Sequence, residues 1–170
     1  MQLRDRQPLA NSAGFDRITP TANNRLGSVF SALYSFWLAR QAAIDRNAHL
    51  GGARRDSYSL ILFNSEPSTC IENDFASSPD ELLTAALRYV ARGGTNFTGA
   101  LSRAQSVMDS HWSTERYEIV SGKRVRSIYM NAAMHCRTPV VIFLSDGECG
   151  IRDETIFDIC RGAVRQGFVW

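Results

Sequence analysis

The run Thr138-Pro-Val-Val-Ile-Phe-Leu144 leads directly into Ser145-Asp146-Gly147-Glu148, and it constrains the fold more than any other stretch. An unbroken apolar run of strand length suits a central parallel strand covered on both faces. Such a strand needs helices above and below it, and helical spacing occurs on both sides of it in the sequence. Leu26, Val29, Phe30, Leu33, Phe36, Trp37 and Ile44 share one face of a predicted helix. Thr21 or Asn23 is its expected cap, Asn47 its expected end, and His49-Leu50-Gly51-Gly52 its stop.

Three more helices are predicted. Ser77-Ser78-Pro79-Asp80-Glu81 combines a capping serine, a first-turn proline and acids at the positive helix end. That helix should run through Leu82, Leu83, Ala86, Leu87 and Val90 to stop at Gly93-Gly94. Another should start near Thr98 and end at Trp112, and the last should span Asp153–Arg165. Between them, Ser57–Phe63 reads as a strand, Asn64–Pro67 as a turn, and Ser68–Ile71 as a short strand. Residues 1–21 read as an irregular lead-in, because Pro8, Asn11, Gly14 and Pro20 interrupt any period. Alternating strands and helices imply an α/β fold: a Rossmann-like, mostly parallel sheet of about four strands with helices on both faces.

Composition narrows the functions open to such a fold. No apolar run approaches the ~20 residues that span a bilayer, and Met1–Arg6 leads into no apolar stretch of the kind a secretory signal needs. Cys70, Cys136, Cys149 and Cys160 form no paired metal-ligand spacing, which is the pattern of reduced thiols in a cytoplasmic protein. The net charge of +2 resides entirely in the segment holding Lys123, Arg124, Arg126 and Glu118. A basic nucleic-acid face should not vanish with one loop, so neither nucleic acid nor membrane is expected as a partner.

In an open parallel sheet, function gathers at loops leaving the carboxyl ends of the strands. Two loops have that character: Gly93-Gly94-Thr95-Asn96-Phe97-Thr98-Gly99-Ala100-Leu101 and Leu144-Ser145-Asp146-Gly147-Glu148. Each piece has a structural reading too: a helix stop, a cap and a turn. A hydroxyl and a carboxylate brought together would offer hard oxygen ligands suited to Mg²⁺ with retained waters. Other chemistries fit less well. Ser145 lacks the Gly-x-Ser-x-Gly elbow of a serine hydrolase, Phe143 standing where the first glycine belongs. No lysine after Gly99 completes a Walker loop, and no dinucleotide fingerprint occurs.

Together, Gly-Gly-Thr-Asn-x-Thr-x-Ala-Leu followed by a strand ending in Ser-Asp-Gly-Glu resembles the von Willebrand factor A (vWA) family. Asp56–Phe63 looks like that family's second strand, and the likeness covers about Asn24 to Gly167. The resemblance implies a non-enzymatic protein-binding or adhesion module with a metal-ion-dependent adhesion site holding Mg²⁺. By position it implies Thr95 and Asp146 as metal ligands; Thr98 sits where the helix begins, which favours Thr95. It implies a protein partner whose acidic side chain completes the coordination. The family's Asp-x-Ser-x-Ser loop is absent. Its strand is expected upstream of Met1, and Phe168-Val-Trp170 resembles the start of a further strand, so the domain at 22–170 reads as incomplete. A metal-independent intracellular interaction scaffold is the alternative, with a hydrolase-like α/β enzyme behind it.

Residues 117–137 read as an insertion. Without them His111-Trp-Ser-Thr-Glu-Arg116 runs into Thr138-Pro-Val-Val as an ordinary short connection. Codons for Arg116–Glu118 and Cys136–Arg137 admit GT and AG boundaries that rejoin in phase, so the segment is either a translated intron or an elaborated loop. On either reading it carries no sustained periodicity and should not support the core. Deleting 117–137 is expected to leave the thermal midpoint, followed by circular dichroism, unchanged or raised, since loop length changes closure entropy only modestly. Loss of the cooperative transition on deletion would show that the segment is structural.

Overall fold

The computed structural model describes residues 6–48, 56–112, 116–120, 123–127, 140–145 and 161. In chain order the elements are α1 (Phe15–Ile18), α2 (Arg25–Asn47), β1 (Tyr58–Phe63), β2 (Pro67–Asp74), α3 (Pro79–Ala86), α4 (Phe97–Trp112), β3 (Arg116–Val120) and β4 (Lys123–Ser127). They fall into two units, one holding α1 to α3 with β1 and β2, the other α4, β3 and β4.

Asn24 caps α2. It lies in extended conformation and its side chain accepts from the Gly27 N–H at 3.1 Å. Thr21 and Asn23 were the expected caps. Thr21 and Ala22 instead donate their N–H groups to the Ile18 carbonyl in the turn after α1, which moves the helix start downstream. The end at Asn47 agrees with the sequence reading. The buried face consists of Leu26, Gly27, Phe30, Ser31, Tyr34 and Trp37. Phe36 was expected inward but is exposed, its ring edge-on to Tyr58 at 6.3 Å.

Phe30 and Ile18 are fully buried, and α1 packs on α2 although the lead-in is otherwise irregular. To the same cluster α3 supplies Leu82, Leu83 and Ala86, and β2 supplies Ile71. Truncating a buried leucine of this kind to alanine costs about 2–5 kcal/mol. Ser78 caps α3 in a full capping box, accepting from the Glu81 N–H while the Glu81 carboxylate accepts from the Ser78 N–H at 2.8 Å. Just upstream, Asp74 accepts from the Ser77 and Ala76 N–H groups at 2.9 Å, and the Ser77 bonds above all hold its carboxyl below the usual range.

The helix stops at Ala86, short of the Val90 expected. The N–H groups of Arg88 and Tyr89 bond three residues back, to Ala85 and Ala86, so the last turn tightens and Val90 is left exposed. An aromatic and a β-branched residue at 89 and 90 give little reason to continue the helix.

β1 and β2 form an antiparallel hairpin, with Leu62 opposite Ser68 and Phe63 opposite Pro67. Asn64–Glu66 is too short to carry a crossover, so this pair has to be antiparallel. β2 extends to Asp74, beyond the expected Ser68–Ile71. The architecture of the described residues is therefore mixed α/β with two antiparallel two-stranded sheets, and the expected parallel pairing is not among them.

Two further expectations change. The central strand Val140–Leu144 is not a strand: no described segment pairs with it, and its side chains are exposed by 79, 38, 70, 39 and 47% in order. Apolar sequence alone does not make a strand without a partner backbone. The insertion was expected to lack regular structure. Its first half instead forms the β3–β4 hairpin, Val120 opposite Lys123, paired among the described residues only with itself. Strand-forming Tyr117, Ile119, Val120 and Val125 around Ser121-Gly122 account for it. The Asp153–Arg165 helix lies outside the described residues, apart from Arg161.

Gly27 provides a test of the packing. A Cβ there would stand 1.6 Å from the Ala22 carbonyl oxygen and 3.1 Å from Pro8 Cγ. Helix propensity alone predicts that Gly27→Ala stabilises by about 1 kcal/mol, whereas the close approach predicts a loss of about 1–3 kcal/mol. A lowered urea midpoint is expected, and a raised one would show that α2 does not pass this close to the lead-in.

Candidate functional site

The Gly93–Asn96 loop sits at the tip of the β1–β2 hairpin. The turn there is braced first by itself: Asn64 N–H donates to the Glu66 carbonyl at 3.2 Å, and Asn64 Oδ1 accepts from the Glu66 N–H at 2.9 Å. Three bonds then join turn and loop. Asn96 N–H donates to the Asn64 carbonyl at 2.7 Å, Asn96 Nδ2 donates to the Ser65 carbonyl at 3.1 Å, and Gly94 N–H donates to Ser65 Oγ at 3.1 Å.

These bonds need the glycine pair. Gly93 has φ +82°, where an L side chain is strained, and a Cβ there would lie 3.3 Å from Asn64 Cβ. At Gly94 a Cβ would press on Ser65 Oγ at 3.2 Å. Because Gly93-Gly94 follows α3 only after an irregular stretch, its role is close approach to the hairpin rather than the helix stop expected.

Thr95, between the anchored residues, is exposed and makes no side-chain hydrogen bond to the described residues. α4 begins at Phe97, one residue ahead of the expected Thr98, and Thr98 lies exposed in its first turn. Inside α4's own unit, Phe97 packs edge-on against Phe143 with ring centres 5.3 Å apart. Asp146 lies outside the described residues, and the exposed Ser145 is the last described position before it. Sequence reasoning missed Asn64, Ser65 and Asn96. The available signals were the Asn-Ser turn chemistry after a strand and an amide directly behind Gly-Gly-Thr.

Other polar groups serve packing. An open cleft of about 360 Å³ is bordered by Asn11, Ser12, Arg17, Tyr34 and Asp80. Arg17 and Asp80 engage each other there: Arg17 pairs with Asp80 and donates to Thr84 Oγ1 at 3.0 Å, and Tyr34 OH donates to Asp80 at 2.9 Å. These bonds fasten α1 to α2 and α3. Likewise Arg40 Nε donates to the Asp56 carboxylate at 2.6 Å and ties α2 to the start of β1. Cys70 is no activated nucleophile: burial pushes its thiol up to about 11, and Sγ donates to the Ala85 carbonyl at 3.4 Å. Among the described residues no three His, Cys, Asp or Glu side chains group as metal ligands, and no helix is long and apolar enough to cross a membrane.

Comparison with family models, with curated proteins and with solved structures gives no match.

Proposed function

We propose that the chain is part of a vWA-type protein-binding module, with Thr95 and Asp146 as the surviving ligands of a metal-ion-dependent adhesion site. The observation that carries this reading is the Gly93–Asn96 loop, anchored on both sides of an exposed Thr95 whose hydroxyl bonds none of the described residues. The antiparallel β1–β2 hairpin and the helix that starts just after the loop support it as well. A mostly parallel, Rossmann-like sheet belongs to the same proposal.

The donors fit Mg²⁺ in kind, since a hydroxyl and a carboxylate are the hard oxygen ligands it takes. They do not fit in number, because two donors leave most of the octahedron to water. Mg²⁺ dehydrates reluctantly, so the chain by itself should hold it only weakly. In the intact module, the metal would supply a positive centre for an acidic side chain of the protein partner. Thr95 would orient that centre and Asp146 would balance its charge. The activity proposed is recognition, not catalysis.

Calorimetric titration with MgCl₂ is expected to give a dissociation constant in the millimolar range or weaker. Asp146→Ala should abolish residual binding, because it removes the anionic ligand, and Thr95→Ala should weaken it less. Micromolar affinity, or binding indifferent to Asp146→Ala, would overturn the assignment.

A further inference from the structure

We propose that a small cavity bordered by α2, the open end of the β1–β2 hairpin and α3 receives the ammonium head of a lysine side chain from a protein partner. Trp37, Tyr58, Phe75, Asp56 and Asp74 line it, with Leu82 of α3. It shares no residue with the Gly93–Asn96 loop and owes nothing to the metal reading.

The end of the hairpin assembles these groups. Asp74 is the register partner of Tyr58, next to an irregularity in the β1–β2 pairing. Beside it Asn73 takes a left-handed φ of +47°, its Oδ1 accepting from Ser57 Oγ at 2.6 Å and its N–H donating to Ser59 Oγ at 2.9 Å. Just beyond, Phe75 is 62% exposed. Trp37 is buried, with its ring centre 6.2 Å from that of Tyr58.

The two carboxylates differ in what they face. Asp56 is paired with Arg40, whose Nε donates to it at 2.6 Å. Among the described residues Asp74 accepts only from neutral donors, the Ala76 and Ser77 N–H groups and Ser77 Oγ, which keep it ionised. One of the two negative charges is therefore unbalanced, and the Glu81 carboxylate stands close enough to repel it. Unbalanced carboxylate and aromatic side chains both attract a cation. Size then selects the cation. The cavity encloses about 20 Å³, room for about one water-sized group. A primary ammonium meets that limit, whereas a guanidinium or a trimethylammonium exceeds it. The methylene stem of a lysine would lie along the exposed Phe75, which gives lysine an advantage over a free ammonium ion.

The test titrates the full ¹⁵N-labelled chain with Nα-acetyl-lysine amide at constant ionic strength, following the Trp37 indole N–H. A saturable shift in the millimolar range is expected. The norleucine analogue, which lacks the charge, should produce none. Ammonium chloride, lacking the stem, and Nα-acetyl-arginine amide, too large for the cavity, should each bind at least about fivefold more weakly. Asp74→Asn keeps an acceptor for the Ala76 and Ser77 N–H groups and should weaken lysine binding about tenfold by removing the charge. Phe75→Ala, at an exposed position, should weaken it about threefold while the thermal midpoint stays unchanged. Absence of a saturable shift with the lysine compound would overturn the inference. So would equal affinity for the norleucine, ammonium or arginine probe, or binding indifferent to both substitutions.

Discussion

Phe30 has no solvent exposure, and the first unit is organised around it. Ile18 of α1, Leu82 and Leu83 of α3 and Ile71 of β2 share its buried cluster. α2 can come this close to the lead-in only because position 27 carries no side chain. Dispersion and apolar burial at this one contact region hold three helices and a hairpin in a fixed relation. The polar ties at the rim, Arg17 to Asp80 and Arg40 to Asp56, add direction to the packing. Exposed ion pairs of the first kind contribute little stability, about 0–1 kcal/mol.

Geometry passes from that core to the candidate site through the hairpin. β2 lies against α3, β1 pairs with β2, and their shared turn holds the Gly93–Asn96 loop. Net hydrogen-bond contributions of about 0.5–1.5 kcal/mol each are small, but three of them across four residues suffice to fix a short loop. The hydroxyl at 95 is thus carried on ordered backbone while remaining open to solvent.

Local signals were legible in the sequence wherever a side chain acts on its own backbone. Ser78, Pro79 and Glu81 announced the start of α3, and the apolar spacing of α2 announced a helix ending at Asn47. The Gly-Gly-Thr-Asn motif pointed to the loop. What could not be read depended on partners distant in sequence. Val140–Leu144 has strand composition, yet no backbone among the described residues pairs with it. The β3–β4 hairpin is a local ribbon that pairs, among the described residues, only with itself, so it leaves no longer-range alternation of strands and helices in the sequence. Ser65 and Asn96 meet across 31 positions, a contact that no local pattern encodes.

The proposed site stands on Thr95 and Asp146 facing the same ion. Their proximity can be measured directly by cross-linking in the folded chain, with Thr95→Cys and Asp146→Cys introduced together and the native cysteines replaced by serine. A short bifunctional thiol reagent should then join residues 95 and 146 in one chain, as mapped by mass spectrometry of the digested protein. Unfolding in urea before treatment should abolish the bridge. Folded protein in which both thiols react singly, with no bridge formed, would contradict a shared metal site.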